Sequence, residues 1–451
     1  MPPIKKGYPH PIISTGKGFF TSPTIKDVMD EKKAAIISLH DDNHELIRLA
    51  ESLDYIVVKT FIQYRKNPGM PLYVGKGKME EVKEFIENEN IECIIVNGIL
   101  TPSQWYNMEK ATGIKVYDRI RLILDIFADR AKRKEARLQV KLAYLQYEKP
   151  YIRELIHRTK SGEHPGFMAG GEYQVADYYE MMKKQIKKIK NDLKKLERAR
   201  EHLNNHRRND GFHLVAITGY TNAGKSSLLN QLAKENVRVE EKLFSTLSTT
   251  TRRIKGGGKA EIPVLFTDTV GFIKELPHWL IDSFHSTLKE IELSDMIILL
   301  LDASDDIKTI REKAMISIKE ISNINAYQKI IIGLNKADTL SEDERAQKVK
   351  DIRDIIEGRP YIFISARTGE NIEDLVKMIY NYIPRTTIEA TFHHTIKQQE
   401  IYNMFGNNNI NILQSNGNPD YIIRITCSDK VKEKVVGKLN KMGAEVNVVG
   451  E

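Results

Sequence analysis

The segment Gly219-Tyr-Thr-Asn-Ala-Gly224-Lys225-Ser226 fits the pattern G-x-x-x-x-G-K-S. An apolar run of strand length, Leu214–Thr218, precedes it, and the helical pattern Ser227–Ala233 follows. Few folds accept this order. The turn's N–H groups and the helix N-terminus form a phosphate cradle at the end of a parallel sheet. Gly219, Tyr220, Thr221, Asn222, Ala223, Gly224 and Ser227 are expected to wrap the phosphates. Lys225 is expected to reach the β- and γ-phosphates, and the Ser226 hydroxyl to ligate Mg²⁺.

Three further motifs follow in chain order, each at the end of an apolar run. Asp268-Thr-Val-Gly271 offers a carboxylate to the Mg²⁺ hydration shell, through Asp268, and the Gly271 N–H to a γ-phosphate. Asn335-Lys336-Ala337-Asp338 offers the Asp338 carboxylate to guanine N1–H and N2–H₂, donors that adenine lacks. Ser365-Ala366-Arg367 offers a backbone N–H to guanine O6. Together they imply a GTP/GDP-binding domain. For the switch-I hydroxyl on Mg²⁺, Thr246, Thr249, Thr250 and Thr251 are all candidates within Phe244–Thr251.

The rest of the chain is organised around that domain. Ala34–Leu39, Tyr55–Ile62 and Ile91–Val96 read as strands, and His44–Leu53 and Met79–Glu89 as helices, giving a parallel α/β unit. From Arg119 to Arg208 strand signal is nearly absent. Leu138, Leu142 and Leu145 keep helical spacing, Pro150 interrupts, and Met182, Ile186, Ile189, Leu193, Leu196 and Leu203 form a heptad seam. Such seams predict a long antiparallel helical hairpin. The expected fold is α/β multidomain: an irregular arm (1–33), an N-terminal parallel α/β domain (34–118), the hairpin (119–208), a P-loop G domain (209–384) and a small α/β appendage (385–451).

Charge singles out the hairpin. The chain of 451 residues carries a net +8, yet residues 126–208 alone sum to +10. Residues 181–208 hold eleven Lys and Arg against three Asp and Glu, whereas 161–180 hold four acidic residues and no Lys or Arg. A lysine-rich face binds nucleic-acid backbone rather than base sequence. The two cysteines, Cys93 and Cys427, lie in apolar runs and cannot form a disulfide framework. The longest aliphatic run, Ile297–Leu301, is far short of a membrane span, and no secretory leader is read at the N-terminus. A cytoplasmic protein is expected, with neither a membrane anchor nor a DNA partner.

In Ras-like enzymes a glutamine after D-x-x-G orients the attacking water. Here that position is Phe272, so slow intrinsic hydrolysis stimulated by a partner is expected. Glu275 is the nearest acidic side chain in sequence. Asn222, two residues before Gly224, offers an amide oxygen that could hold K⁺ beside the phosphates, or one that merely stabilises the turn. Lys225, Gly271, Asn222 and the switch-I threonine are thus the candidate catalytic set. A nucleotide sensor without meaningful turnover, and an RNA-modification GTPase, are the alternatives.

These residues resemble the HflX-type GTPases of the Obg–HflX group. The resemblance runs from about residue 34 to 384. It rests on Asp268-Thr-Val-Gly-Phe272-Ile, on Tyr73-Val-Gly-Lys-Gly-Lys78, and above all on Asp118-Arg-Ile-Arg-Leu-Ile-Leu-Asp-Ile-Phe-Ala-Asp-Arg-Ala131 with Ala136-Arg-Leu-Gln-Val140. Phe244-Ser-Thr-Leu resembles the group's switch I, which favours Thr246 on Mg²⁺ and sets Phe244 beside the nucleotide. The resemblance implies binding to the large ribosomal subunit and its rRNA. The loop Ser161–Glu172 departs from the family by lacking an arginine.

Overall fold

The structure is a computed structural model that describes residues 32–160, 171–233, 250–254, 262–274, 276–393, 411–416 and 421–449. Contacts divide the chain into two compact units. One takes the residues up to Ile126 with Tyr147–Glu180, and the other takes Phe127–Gln146 with the residues from Met181 onward.

The first unit is built on strands β1 (Lys32–Ser38), β2 (Tyr55–Ile62), β3 (Cys93–Val96) and β4 (Lys115–Asp118). All pair in parallel, in the order β2-β1-β3-β4. β1 starts at Lys32, two residues before the expected boundary. Central parallel strands are covered on both faces and so read as unbroken apolar runs. Ala34–Ile37 and Ile94–Val96 are fully buried, and Cys93 lies among them. Two elements escaped the sequence reading, β4 and the helix Pro102–Thr112. The helix has its own start and stop chemistry: Thr101 and Gln104 form a capping box, Pro102 opens it, and Gly113 closes it at φ +74°.

Asp118 ends β4 fully buried. Its carboxylate accepts the Leu100 N–H at 3.2 Å, the Arg121 N–H at 2.8 Å and the Tyr147 hydroxyl at 3.0 Å. Burial nevertheless pushes its pKa up. One carboxylate thereby joins a strand end, the start of the helix Arg119–Arg130 and a hairpin residue.

Two long helices, Lys134–Lys160 and Gly171–Asn209, contribute to both units. Glu135 at the start of the first pairs with Arg200 late in the second at 2.5 Å, so they run antiparallel. Two expectations change here. The first helix continues through Pro150. Met182 and Ile189 are buried as a seam requires, but Leu203 is 52% exposed, because the hairpin seam ends before it.

The second unit holds β5 (His213–Gly219), β6 (Thr250–Ile254), β7 (Val264–Asp268), β8 (Met296–Asp302), β9 (Lys329–Asn335) and β10 (Tyr361–Phe363). Their order is β10-β9-β8-β5-β7-β6, parallel except for β6. All seven residues of β5 and of β8 are buried. A third sheet, antiparallel, orders β11 (Arg385–Phe392), β12 (Asn411–Asn416), β13 (Tyr421–Ser428) and β14 (Glu445–Val449) as β12-β13-β11-β14. Val435 and Leu439 of the helix Lys432–Lys441 pack on Ile388, Phe392, Ile423, Ile425 and Cys427. This appendage is bonded to the base of β5. Ser428 Oγ lies 2.7 Å from His213 Nε2, and Lys430 Nζ lies 2.5 Å from Asp295 Oδ2.

Candidate nucleotide-binding site

β5, β7 and β9 deliver the first three motifs at their C-terminal ends, and the Ser365 segment follows β10. In β5-centred order β8 and β7 flank β5 on opposite sides, so the phosphate loop leaves the sheet where the chain's winding reverses. Open parallel sheets bind ligands at that point.

The loop's shape depends on two glycines. Gly219 has φ +145°, and a Cβ there would lie 2.3 Å from the Leu300 carbonyl. Gly224 has φ +93°, and its Cβ would meet the Asn335 amide at 2.2 Å. Between them Asn222 adopts φ +64°. Asparagine tolerates this left-handed conformation better than most residues, which gives Asn222 a backbone role in the turn.

Lys225 is buried and donates to the Tyr220 carbonyl at 2.9 Å. Burial lowers its pKa to about 8, against a weaker opposing pull from Asp268. Ser226 Oγ donates to Asp268 Oδ2 at 2.6 Å. Ser227 follows, half-buried, on the first turn of the helix Lys225–Ala233. Thr221 and Ala223 are buried in the loop. Gly271 packs so close that a Cβ would come within 2.8 Å of the Lys225 ammonium.

Phe272 is buried. Its backbone N–H donates to the Gly219 carbonyl at 3.0 Å and its carbonyl accepts the Thr221 N–H at 2.9 Å. Two residues on, the Lys274 N–H donates to the Tyr220 hydroxyl at 2.9 Å. The segment that follows Asp268-Thr-Val-Gly271 is therefore bonded to the phosphate loop, a link that the motif spacing did not reveal.

Asn335 joins two of the motifs. Its amide donates to the Ala223 carbonyl at 2.8 Å and its oxygen accepts the Ala366 N–H at 2.9 Å. Ser365 is fully buried and its hydroxyl accepts the Thr368 N–H at 3.1 Å. Asp338 and Arg367 are exposed at the rim. Lys336, at φ +66°, places its ammonium 2.5 Å from the Asp302 carboxylate. Asp302 was not anticipated; only its position at a strand end hinted at it.

Of the switch-I candidates, Thr251 bonds Thr267 across the β6–β7 pair at 3.0 Å, and Thr250 is the register partner of Asp268. Phe244, Thr246, Thr249 and Glu275 lie outside the described residues, as does most of the Ser161–Glu172 loop.

Three family profiles match successive segments between residues 40 and 336. "GTP-binding GTPase N-terminal" matches residues 40–128, "GTP-binding GTPase Middle Region" 130–207, and "50S ribosome-binding GTPase" 214–336. GTPase HflX of Methanocaldococcus jannaschii is 44% identical over 341 residues, 75% of this chain and 82% of that one. The chain belongs to the HflX family of GTPases. GTPase HflX of Thermococcus kodakarensis is 38% identical over 412 residues, covering 89% of this chain and 91% of its own. A solved GTP-binding protein from Sulfolobus solfataricus, in complex with GDP, is 26% identical. That likeness covers 78% of this chain and 98% of the other at a TM-score of 0.44. This HflX-family chain binds guanine nucleotide and hydrolyses GTP. Among the described residues no helix is long and apolar enough to cross a membrane.

Proposed function

We propose that this HflX-family GTPase works in the cytoplasm on the large ribosomal subunit, gripping rRNA with its basic hairpin and hydrolysing GTP slowly until that partner accelerates it. The observation that carries this reading is the lysine row. Lys183, Lys184, Lys187, Lys188, Lys190, Lys194 and Lys195 are all exposed on the helix Gly171–Asn209. Seven exposed cations over about three turns favour a phosphate backbone. The family profile's own description, a 50S ribosome-binding GTPase, agrees. The five-part division at 33/34, 118/119, 208/209 and 384/385 belongs to this proposal.

In the same reading the phosphate loop from Gly219 to Ser227 binds the phosphates, with Lys225 neutralising charge on the transferred group. Asn335, Lys336, Asp338, Ser365, Ala366 and Arg367 hold guanine, and Phe244 is assigned to the nucleotide by its resemblance to the family's switch I. The donors suit Mg²⁺: the Ser226 hydroxyl and the Asp268 carboxylate already meet, and both are hard oxygens. Ser226 and Thr246 would hold the ion directly and Asp268 through water. The ion would supply charge neutralisation at the β- and γ-oxygens. Gly271 would orient the γ-phosphate, and the Asn222 amide oxygen would help hold K⁺. Equal GTPase rates in K⁺ and Na⁺ would remove that last element.

The test is cosedimentation with purified subunits in a GTP analogue, in GDP and without nucleotide. Large-subunit binding, weakened by Lys→Glu at 187, 188 and 194 and steeply salt-dependent, is the expected result. Absence of binding in all three states rejects the reading. Binding without any ribosome-stimulated hydrolysis would favour the alternative, a GTP/GDP sensor, which the buried Phe272 permits.

A further inference from the structure

We infer that Asp302 is a positioning residue for guanine-nucleotide affinity, acting by holding the Lys336 side chain in place. The inference rests on Asn335–Asp338 being the guanine-recognition segment.

β8 and β9 run side by side, and their register pairs Asp302 with Asn335. The strands end together, and the Ala303 N–H donates to the Asn335 carbonyl at 2.8 Å. The β8 end is thereby tied to the residue before Lys336. Asp302 is only 8% exposed, and both its oxygens are engaged. Oδ1 accepts the Ser304 N–H at 3.0 Å and the Ser304 hydroxyl at 2.5 Å, which fixes the plane of the carboxylate. Oδ2 accepts from the Lys336 ammonium at 2.5 Å. The next acidic residue of this loop is anchored too: Lys313 pairs with the Asp305 carboxylate at 2.5 Å, and Lys348 donates to the Asp305 carbonyl at 2.6 Å. The turn from Asp302 to Asp305 is a braced platform.

Lys336 needs such a brace. Its backbone is committed to the left-handed region at φ +66°, at the start of the short 3₁₀ turn Ala337–Thr339, and its carbonyl accepts from the Thr339 hydroxyl at 2.8 Å. The side chain has four rotatable bonds and is one-third exposed. A free lysine carries substantial rotamer entropy, and ordering it on binding subtracts from affinity. A carboxylate that pre-sets the ammonium removes that cost. It also supplies a negative charge where the neutral base supplies none. The sequence pattern N-K-x-D names the lysine but not its partner, which lies 34 residues upstream.

The experiment measures GDP affinity by fluorescence titration of the full chain for Asp302→Asn, Lys336→Ala and the double variant, with Lys225 and Asp338 intact. Asp302→Asn keeps an acceptor oxygen for Ser304 and loses only the charge toward Lys336. Expected are a roughly tenfold rise in Kd for Asp302→Asn, an equivalent rise in KM for GTP, and little further loss when it is added to Lys336→Ala. Equal thermal midpoints with and without the change set folding defects aside. If Lys336→Ala weakens GDP but Asp302→Asn stays within about twofold of wild type, this inference is overturned and the site reading stands. Full additivity in the double variant overturns it as well, because the two residues then act separately. If Lys336→Ala itself leaves GDP affinity unchanged, the guanine-site assignment falls and takes this inference with it.

Discussion

The Asn335 amide donates to the Ala223 carbonyl at 2.8 Å, spanning 112 residues of sequence to tie the phosphate loop to the end of β9. Its other atom accepts from Ala366 at 2.9 Å. One buried side chain therefore sets the spacing between the phosphate loop and the Ser365–Arg367 segment, the base-binding side in the proposed site. Asn335→Ala strands a buried carbonyl and a buried N–H, which costs about 1–3 kcal/mol each. A lower urea midpoint and weaker GDP binding should appear together. Loss of binding at unchanged stability would mean that Asn335 touches nucleotide and does not brace the loop.

Lys225 carries a pH signature. Its amine is buried, and its pKa in the folded chain is about 8, below the unfolded 10.5. Between those values the unfolded chain binds more protons, so nucleotide-free stability rises with pH across that window, by up to roughly 1.4 kcal/mol per unit. Lys225→Met should be the more stable protein at pH 7.5, with the gap narrowing as pH approaches 10. Thermal melts at a series of pH values check this. A gap that stays constant from pH 7.5 to 10 contradicts it.

His213 predicts an acid-side effect at the appendage. Burial and the nearby Lys430 lower its pKa to about 4, despite Asp295. Protonation is therefore favoured in the unfolded chain, and stability falls as pH drops from 6.5 toward 4. The ring meets Ser428 at 2.7 Å, so the loss should be felt where the appendage meets β5. His213→Gln should flatten the decline between pH 6.5 and 4.5 in urea titrations. An unchanged slope would assign the acid sensitivity elsewhere.

Phe272 stands where Ras-like enzymes place glutamine, and the residue is 5% exposed. Its backbone engages the phosphate loop through two hydrogen bonds. Phe272→Gln should therefore fail to create fast turnover, staying well below the ~5–20 s⁻¹ of stimulated enzymes. It should also cost about 3 kcal/mol through lost burial and a buried amide. Single-turnover hydrolysis and denaturant unfolding test the two parts. Fast intrinsic turnover in the variant would show that the glutamine's geometry is available after all.

The hairpin reaches the G domain through ion pairs. Lys289, on the helix His285–Glu292, lies 2.9 Å from Glu197 and 2.5 Å from Glu201. Two carboxylates hold its pKa well above the usual lysine value. These groups are partly exposed, so stability should change by at most about 1 kcal/mol on Lys289→Ala. On the proposed ribosome-binding reading, the larger effect should be on coupling: the difference in ribosome affinity between GTP-analogue and GDP states should shrink by about threefold. An unchanged ratio places the coupling on another path.

The sequence by itself determined the nucleotide chemistry and most of the secondary structure. The strand Leu214–Thr218, the turn after it and the three later motifs are local patterns, and β2, β7 and β8 match their apolar runs residue for residue. The lysine row was equally plain, because charge is read directly from residue type. What local pattern lacked, the sequence could not supply. β4 is four residues long with one strongly apolar side chain, Val116, and β6 is polar, paired only along one side of β7. Short or edge strands take their identity from neighbours rather than from periodicity. Tertiary structure alone decided that Asn335 holds Ala223, that Asp302 holds Lys336, that Phe272 is bonded to Gly219 and Thr221 and that the appendage is bonded to His213. Each is a contact between residues far apart in the chain. Such pairs are chosen by which buried donors and acceptors the fold brings together, and a linear sequence does not record that.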